Sequence, residues 1–487
     1  MAINLTSALP TTASSSTGQG ILSSLGVGSG IDINSLISQL MTAEQAPLTL
    51  LQNQQSADQA QISAFGSVSS ALSSLQTAAQ ALETSNSSSA FGAMIATPAD
   101  TSVLTASTGT GAAAGSYNIS VTSLASSQIL RSNAAYSTTD TFNTGTLNIS
   151  VGGGTATPVT IGSANNTLSG IAQAINSANA GVTATVLNDG TTNHLVLSSN
   201  TSGTAGAIQV SVSQTGTGAT QNLTDFAYSG TDSTTMVTSQ PAANASFKLN
   251  GTPITRSSNT VSDVINGVTL NLQTANASTT LSVAPDTSAV TTAVQNFVTA
   301  YNAAVNAISS VSAYDPTSNT AQPLTGNDVI FQLQSQLPSI LSHGIAGIQG
   351  GLTSLADVGV TLQQDGTLAL DSSKLQSALA NPNNDVASLF GSSTANGYAY
   401  QIDQMLNNFV GPTGAISVET NGLTGSIQDL QQQESAMNNY LSQLQAQYTA
   451  EFTAMDSTVQ QLNSTQSFMT QQLQYQLVNA GTALGGA

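Results

Sequence analysis

The 487 residues include no cysteine and no tryptophan. Without cysteine there is no disulfide framework, no thiolate zinc or iron–sulfur site and no thiol catalysis. The compartment stays open: such a chain can be cytosolic, or it can leave the cell unfolded and rely on burial rather than crosslinks outside. Positive charge is nearly absent as well. Four Lys and Arg face 23 Asp and Glu, a formal net charge of −19, and no base precedes Arg131 or follows Lys374. Nucleic acids and anionic membranes need a clustered basic footprint, so neither is an expected partner. Charged residues make up 6% of the chain, against roughly 25% in an average soluble protein, which leaves Ser, Thr, Asn and Gln to solvate the surface. No run approaches the ~18 to 20 apolar residues of a membrane span, and the opening "MAINLTSALPTTASSS" has neither a basic n-region nor an apolar h-region. Neither a cleavable signal nor membrane insertion is expected.

What is present is enough apolar residue, 39%, for folded cores. The length suggests about three domains at ~150 residues each. Ala8 to Gln19 reads as a flexible Ser/Thr tail. From Gly26, "GVGSGIDINSLISQLMTAEQAPLTLLQNQQ" places Asp32 or Asn34 as the cap of a helix beginning near Ser35, with Pro47 in the first turn of the next. Leu48, Leu51, Ile62, Phe65, Val68, Leu72, Leu75 and Leu82 then form one apolar face. From Ser85 to Pro285 the composition turns to Thr, Ser, Gly, Asn and Val. Alternating runs such as "SYNISVTSL", "GVTATVL", "HLVLSS" and "GVTLNL" predict strands, with one helix at "TLSGIAQAINSA". Helices return at 286–310, where Val290, Val294, Phe297, Val298, Tyr301, Val305 and Ile308 share a face, and at Val329 to Leu341. A hairpin is expected around Asp365-Gly366, flanked by helices near Ser372 to Leu379 and Asp385 to Phe390.

The most informative stretch is the last. Ser426 to Ala480 contains no Gly or Pro, and Ile427, Leu430, Met437, Leu441, Leu444, Tyr448, Phe452, Met455, Val459, Leu462, Met469, Leu473 and Leu477 recur mostly at alternating steps of three and four. This predicts a helix of roughly 80 Å with a heptad-like seam. A stripe so narrow suits packing between chains better than burial inside one. Helices at both ends with strands between them predict an α+β multidomain fold. The terminal helices pair as a coiled coil or helical bundle, and two β-rich domains are inserted between them.

No constellation carries chemistry. His194 and His343 are far apart and read as an exposed strand residue and a helix C-terminal residue. Asp365 and Asp371 read as turn and cap residues, which leaves Asp357 without a carboxylate pair. "GVGSGI", "VGGGTAT" and "LNDGTTN" are turns rather than phosphate, dinucleotide or calcium loops. No catalytic, cofactor or metal site is expected.

The opening "GVGSGIDINSLISQLMTAEQAPL" resembles the start of the flagellar filament cap family, the hook-associated protein 2 family. "ASFKLNGTPITRSSNTVSDVINGVTLNL" looks like that family's middle β domain. The stretch from Thr146 to Gly190 is similar to the Ile-Asn module of flagellar axial proteins, with Ile175-Asn176 at its centre. "VQNFVTAYNAAVNAI", "LADVGVTLQQDGTLALDSSKLQSAL" and "YTAEFTAMDSTVQQLNSTQSFMTQQL" resemble the family's helical region and terminal helix. Two departures stand out: a longer leader before Gly20 and a terminal helix without bases.

The resemblance implies export unfolded through the flagellar channel, with a chaperone beforehand, and a homo-oligomeric ring, of five subunits, at the filament tip. There it would meet flagellin and the hook–filament junction proteins. It further implies a leg region of residues 1–45 and 445–487, a helical domain with a β-hairpin of 46–90 and 286–444, a β-rich domain of 91–120 and 236–285, and an outer β-rich domain of 121–235. The expected assembly interface is Leu36, Leu40, Met41, Leu430, Met437, Leu441, Leu444, Tyr448, Phe452, Met455, Val459 and Leu462, a seam formed only in the ring or on the filament. An extracellular adhesin or surface-layer protein is the alternative from another class.

Overall fold

The computed structural model describes residues 32–484 apart from 87, 233 and 395. The expected Ala8–Gln19 tail lies outside the described residues. In chain order the α-helices are α1 (Ile33–Glu44), α2 (Ala46–Gln80), α3 (Leu168–Ser177), α4 (Thr287–Ser312), α5 (Asp328–Ser342), α6 (Ser372–Ala380), α7 (Val386–Gly391), α8 (Tyr398–Val410) and α9 (Ala415–Leu484). Helices thus occupy both ends of the described residues, and the strands lie between them.

The helical body is built on α2. Its Phe65, Val68, Leu72 and Leu75 share one buried core with Val294, Phe297 and Tyr301 of α4 and Ile402, Leu406 and Phe409 of α8, and Leu333 and Leu337 of α5 extend that core. The hairpin Val360–Leu362 with Leu368–Leu370 docks on α4 through Asn302. The side-chain amide of Asn302 donates to the Leu368 carbonyl at 2.9 Å and accepts from its N–H at 2.6 Å. At the hairpin's tip Gly366 has φ +82°, as a tight turn requires.

Two β units leave this body. The inner one is a five-stranded sheet, in spatial order Met94–Pro98, Ala277–Pro285, Gly115–Ser123, Ala245–Leu249 and Thr252–Arg256, which shares a core with the sheet Thr260–Ile265, Val268–Leu272 and Leu104–Thr108. Leu104, Ile119, Phe247, Leu270 and Leu281 fill that core. The outer unit holds a four-stranded and a three-stranded sheet with α3 between them in the core. Here Tyr136, Phe142 and Phe226 pack edge-on or tilted, with ring centroids 5.0 to 5.7 Å apart. The Ile175-Asn176 pair ties α3 to its sheet in two ways. Ile175 is fully buried, and the Asn176 amide exchanges two hydrogen bonds with Ala184 on the edge strand Val182–Asn188, at 2.8 and 2.7 Å. The amide thus stands in for a neighbouring strand at part of an open edge.

The two β units are joined by a two-stranded neck, where Ser126 and Ala243 exchange backbone hydrogen bonds. Residues of both units clasp it. Gly203 N–H donates to the Ser126 carbonyl at 3.1 Å, Ser202 Oγ to the Ser257 carbonyl at 2.7 Å, and Thr204 N–H to Asn244 Oδ1 at 2.8 Å. Asn259 completes the clasp by exchanging two bonds with Ala125.

Four local expectations need correction. α9 begins at Ala415 rather than Ser426, running through Gly422 and Gly425. Packing of Ile416 and Leu423 against the helical core outweighs the roughly 1 kcal/mol that each helical glycine costs. α8 is an additional helix, although Ile402, Met405, Leu406 and Phe409 carry its period. α1 begins at Ile33, two residues early, with Asp32 as its cap. Finally, His194 is buried rather than exposed, its Nδ1 3.0 Å from the Ser132 carbonyl and its Nε2 3.3 Å from an Arg131 guanidinium nitrogen.

Candidate assembly interface

The pairing of the chain's ends starts with a cap. Asp32 Oδ1 accepts from Ser35 N–H at 3.0 Å, satisfying one of the open amides of α1. From there Ile33, Ile37 and Met41, spaced by four, place three buried side chains on one face. They close a small core with Leu441, flanked by Leu48, Met437, Tyr448 and Phe452. This contact lies within one chain, so the Met437–Phe452 part of the seam, expected to form only on assembly, already has an occupant in α1.

The individual candidates separate into groups. Met41, Leu430 and Leu441 are buried, and Met437, Leu444, Tyr448, Phe452 and Val459 are half-buried. Met455 is 40% exposed and Leu462 64%. Leu36 and Leu40 are not in the α1–α9 core: they are 39% and 38% exposed, at its margin on α1. The residues missed are Ile33 and Ile37. The signal for them is present in the sequence, because a helix capped by Asp32 with Ile33, Ile37 and Met41 at steps of four has a more regular stripe than Leu36, Leu40 and Met41.

Polar contacts fix the register of α2 along α9. Gln52 Nε2 donates to Glu434 Oε1 at 2.9 Å and Ser426 Oγ to Asp58 Oδ2 at 2.7 Å. All seven charged residues of α1, α2 and α9 are acidic: Glu44, Asp58, Glu419, Asp429, Glu434, Glu451 and Asp456. Beyond Asp456 the helix carries no charge, and every side chain from Gln460 to Leu477 is exposed. Leu462, Phe468, Met469, Leu473, Tyr475 and Leu477 are all more than half exposed there. A helix that shows this much apolar surface to water is a binding surface in waiting.

The polar candidates of the sequence are structural. Asp371 caps α6, Asp365 accepts from Thr367 in the hairpin turn, and His343 ends α5 with its Nδ1 2.6 Å from the Ser339 carbonyl. Asp357 closes a capping box with Ser354, and its carboxyl is held below its ordinary value, first by the Thr353 N–H and then by Ser354. Among the described residues no three His, Cys, Asp or Glu stand together as metal ligands, and no helix is long and apolar enough to cross a membrane.

Comparison with known proteins accounts for the architecture. Residues 242–464 match the family model of the flagellar hook-associated protein 2 C-terminus, residues 29–128 that of its N-terminus, and residues 146–201 the flagellin hook IN motif. Flagellar hook-associated protein 2 of Escherichia coli K12 is 36% identical over 468 residues, covering 93% of this chain and 98% of that protein. The B-type flagellar hook-associated protein 2 of Pseudomonas aeruginosa is 32% identical over 467 residues, covering 92% and 97%. Among solved structures, the D1-D2-D3 domains of the flagellar cap protein FliD from Escherichia coli align with a TM-score of 0.59 and 34% identity, covering 74% of this chain and 99% of that one. With its two ends paired, its β units set between them and near-complete coverage by these relatives, the chain belongs to the flagellar hook-associated protein 2 family.

Proposed function

We propose that this protein is the cap of the bacterial flagellar filament: a structural, morphogenetic protein that sits at the distal, extracellular end, promotes folding and insertion of arriving flagellin and prevents its loss. The family places it at the flagellum. The observation that carries the reading furthest is the leg: Ile33, Ile37 and Met41 near one end of the described chain pack with Leu441 near the other, and beyond them α9 continues with apolar side chains that no described residue covers.

In this reading residues 1–45 and 445–487 form the leg. Residues 46–90 and 286–444 form the helical domain, with 91–120 and 236–285 as the inner β domain and 121–235 as the outer one. The ring is homo-oligomeric, with five subunits. Its uncovered positions, Leu36, Leu40, Met455 and Leu462 foremost, meet neighbouring subunits or the filament end, while the β domains form the plate. Flagellin and the hook–filament junction proteins are its partners outside the cell, and an export chaperone holds the chain before secretion. The adhesin reading finds no support in the comparisons.

Complementation tests this. Cells lacking the protein are expected to spill flagellin into the medium and not to swim, and the intact gene should restore both. The double variant Leu441→Lys, Leu444→Lys should restore neither, because two charges enter an apolar contact, while its β domains still melt normally. Swimming cells that keep their flagellin without the protein would remove the proposal.

A further inference from the structure

In the outer β unit His194 is 4% exposed, and its two ring nitrogens meet groups of different kinds. Nδ1 lies 3.0 Å from the Ser132 carbonyl. A carbonyl oxygen only accepts, so Nδ1 carries the proton of the neutral ring and Nε2 presents a lone pair. Ser132 is fixed for this role: it is fully buried, and its Oγ accepts from Leu195 N–H at 3.1 Å. Nε2 faces two groups of opposite charge, an Arg131 guanidinium nitrogen at 3.3 Å and Asp189 Oδ2 at 3.5 Å. The neutral ring accepts from Arg131 and has no proton to give Asp189. The protonated ring donates to Asp189 and only repels Arg131.

We propose that His194 is a proton-operated switch in the outer β unit: the neutral ring holds the Arg131 side chain on Nε2, and the protonated ring passes that atom to Asp189 and releases Arg131. Both partners are prepared for the exchange. Asp189 is anchored in the turn ahead of His194, where its Oδ1 accepts from Thr191 N–H at 2.9 Å and from Thr192 N–H at 2.8 Å. The Thr192 N–H first, and then that of Thr191, hold its carboxyl well below the ordinary carboxylate range, so it stays charged where a histidine takes up its proton. Arg131 is half-buried and has no carboxylate within 4 Å among the described residues, so no ion pair retains it once His194 turns away.

The elements packed around His194 add no competing charge. Tyr136 exchanges backbone hydrogen bonds with Asn193, and its hydroxyl keeps its proton, pushed up by burial first and then by Asp225 and Asp140. Strands Val182–Asn188 and Met236–Gln240, helix α3 and the three-stranded sheet bear no titratable side chain. Asp232 accepts from Thr238 N–H on Met236–Gln240, a strand that the Arg131 strand separates from that of His194.

The chain has two histidines, and Arg131 and Arg256 are its two arginines, so isotope-labelled side chains of the full protein can be followed by NMR through a pH titration. At about pH 8 the His194 ring should be protonated on Nδ1 alone. Toward about pH 5 its Nε2 should gain a proton while the Arg131 guanidinium becomes mobile, and Arg256, paired with Asp263, should not change. Asp189→Asn keeps an oxygen and removes the charge. It should lower the melting temperature of the outer β unit by about 4 °C more at the acid end than at the neutral end. A neutral ring protonated on Nε2, a ring that stays neutral at the acid end, or an Arg131 equally ordered throughout would each overturn the switch. So would an equal effect of Asp189→Asn at both ends.

Discussion

Replacing Ile37 by Ala separates a local docking event from global stability. Ile37 is 5% exposed in the small core between α1 and α9, which shares no residue with the core of the helical body. Truncating a buried isoleucine to alanine costs about 2 to 4 kcal/mol. At about 1.4 kcal/mol per tenfold change, the undocked population of α1 rises by roughly 30- to 700-fold. α1 has 12 residues, and a helix that short is marginal in water without its packing, so undocking and unfolding coincide. Amide exchange read residue by residue is the assay. Protection should fall by that factor in α1 and stay constant in α4, whose Val294, Phe297 and Tyr301 belong to the other core. Unchanged exchange in α1, or an equal loss of protection in both helices, would refute the reasoning.

Further outcomes follow from single sites. Gly203 has φ +76°, and a Cβ there would lie 2.5 Å from Ser257 Cα and 2.6 Å from Asn244 Oδ1. Gly203→Ala should therefore loosen the clasp between the β units: a distance distribution between spin labels on the two units, attached at introduced cysteines, should broaden while both units still melt cooperatively; a distribution as narrow as the parent's would count against the clasp. Gly422→Ala and Gly425→Ala meet no atom within 4 Å, so each should stabilise α9 by about 0.5 to 1 kcal/mol in urea unfolding, and a loss would show that their smallness is used. Glu83 is nearly buried, with one oxygen unpartnered, and its carboxyl is raised above its ordinary 4.5 by burial first and then by Asp403. Its contribution is full below that ordinary value and is lost as pH rises through the raised one. Glu83→Gln should match the parent in acid and exceed it at neutral pH, and equal stability at both would contradict the assignment. Asp286 runs the other way: held down by Ser288 and then Ala289 at the start of α4, it adds stability above pH 3.8 that fades as the pH falls through its lowered value.

How far the sequence carries depends on what each residue has to do. The period of α2, the Asp32 cap, the Asp365-Gly366 turn and the Ile175-Asn176 module are local, and each is written in a few neighbouring residues. Ile33 with Ile37 and Leu36 with Leu40 are harder to tell apart, because both pairs are apolar at the same spacing. Only the position of α9 decides which pair is covered. The start of α9 is hidden because Gly422 and Gly425 read locally as a break, whereas Ile416 and Leu423 are held by contacts far along the chain. The burial of His194 is hidden for a related reason: nothing beside it in sequence reveals that Arg131 and Ser132 cover it from the neighbouring strand.

The central claim is a position, and a label can read it. With no cysteine of its own, the chain accepts one on the exposed surface of the outer β unit, for a gold or fluorescent tag imaged on intact flagella by electron microscopy. The account predicts the tag at the distal end of each filament and nowhere along the shaft. Labels spread along the filament, or confined to its base, would contradict it.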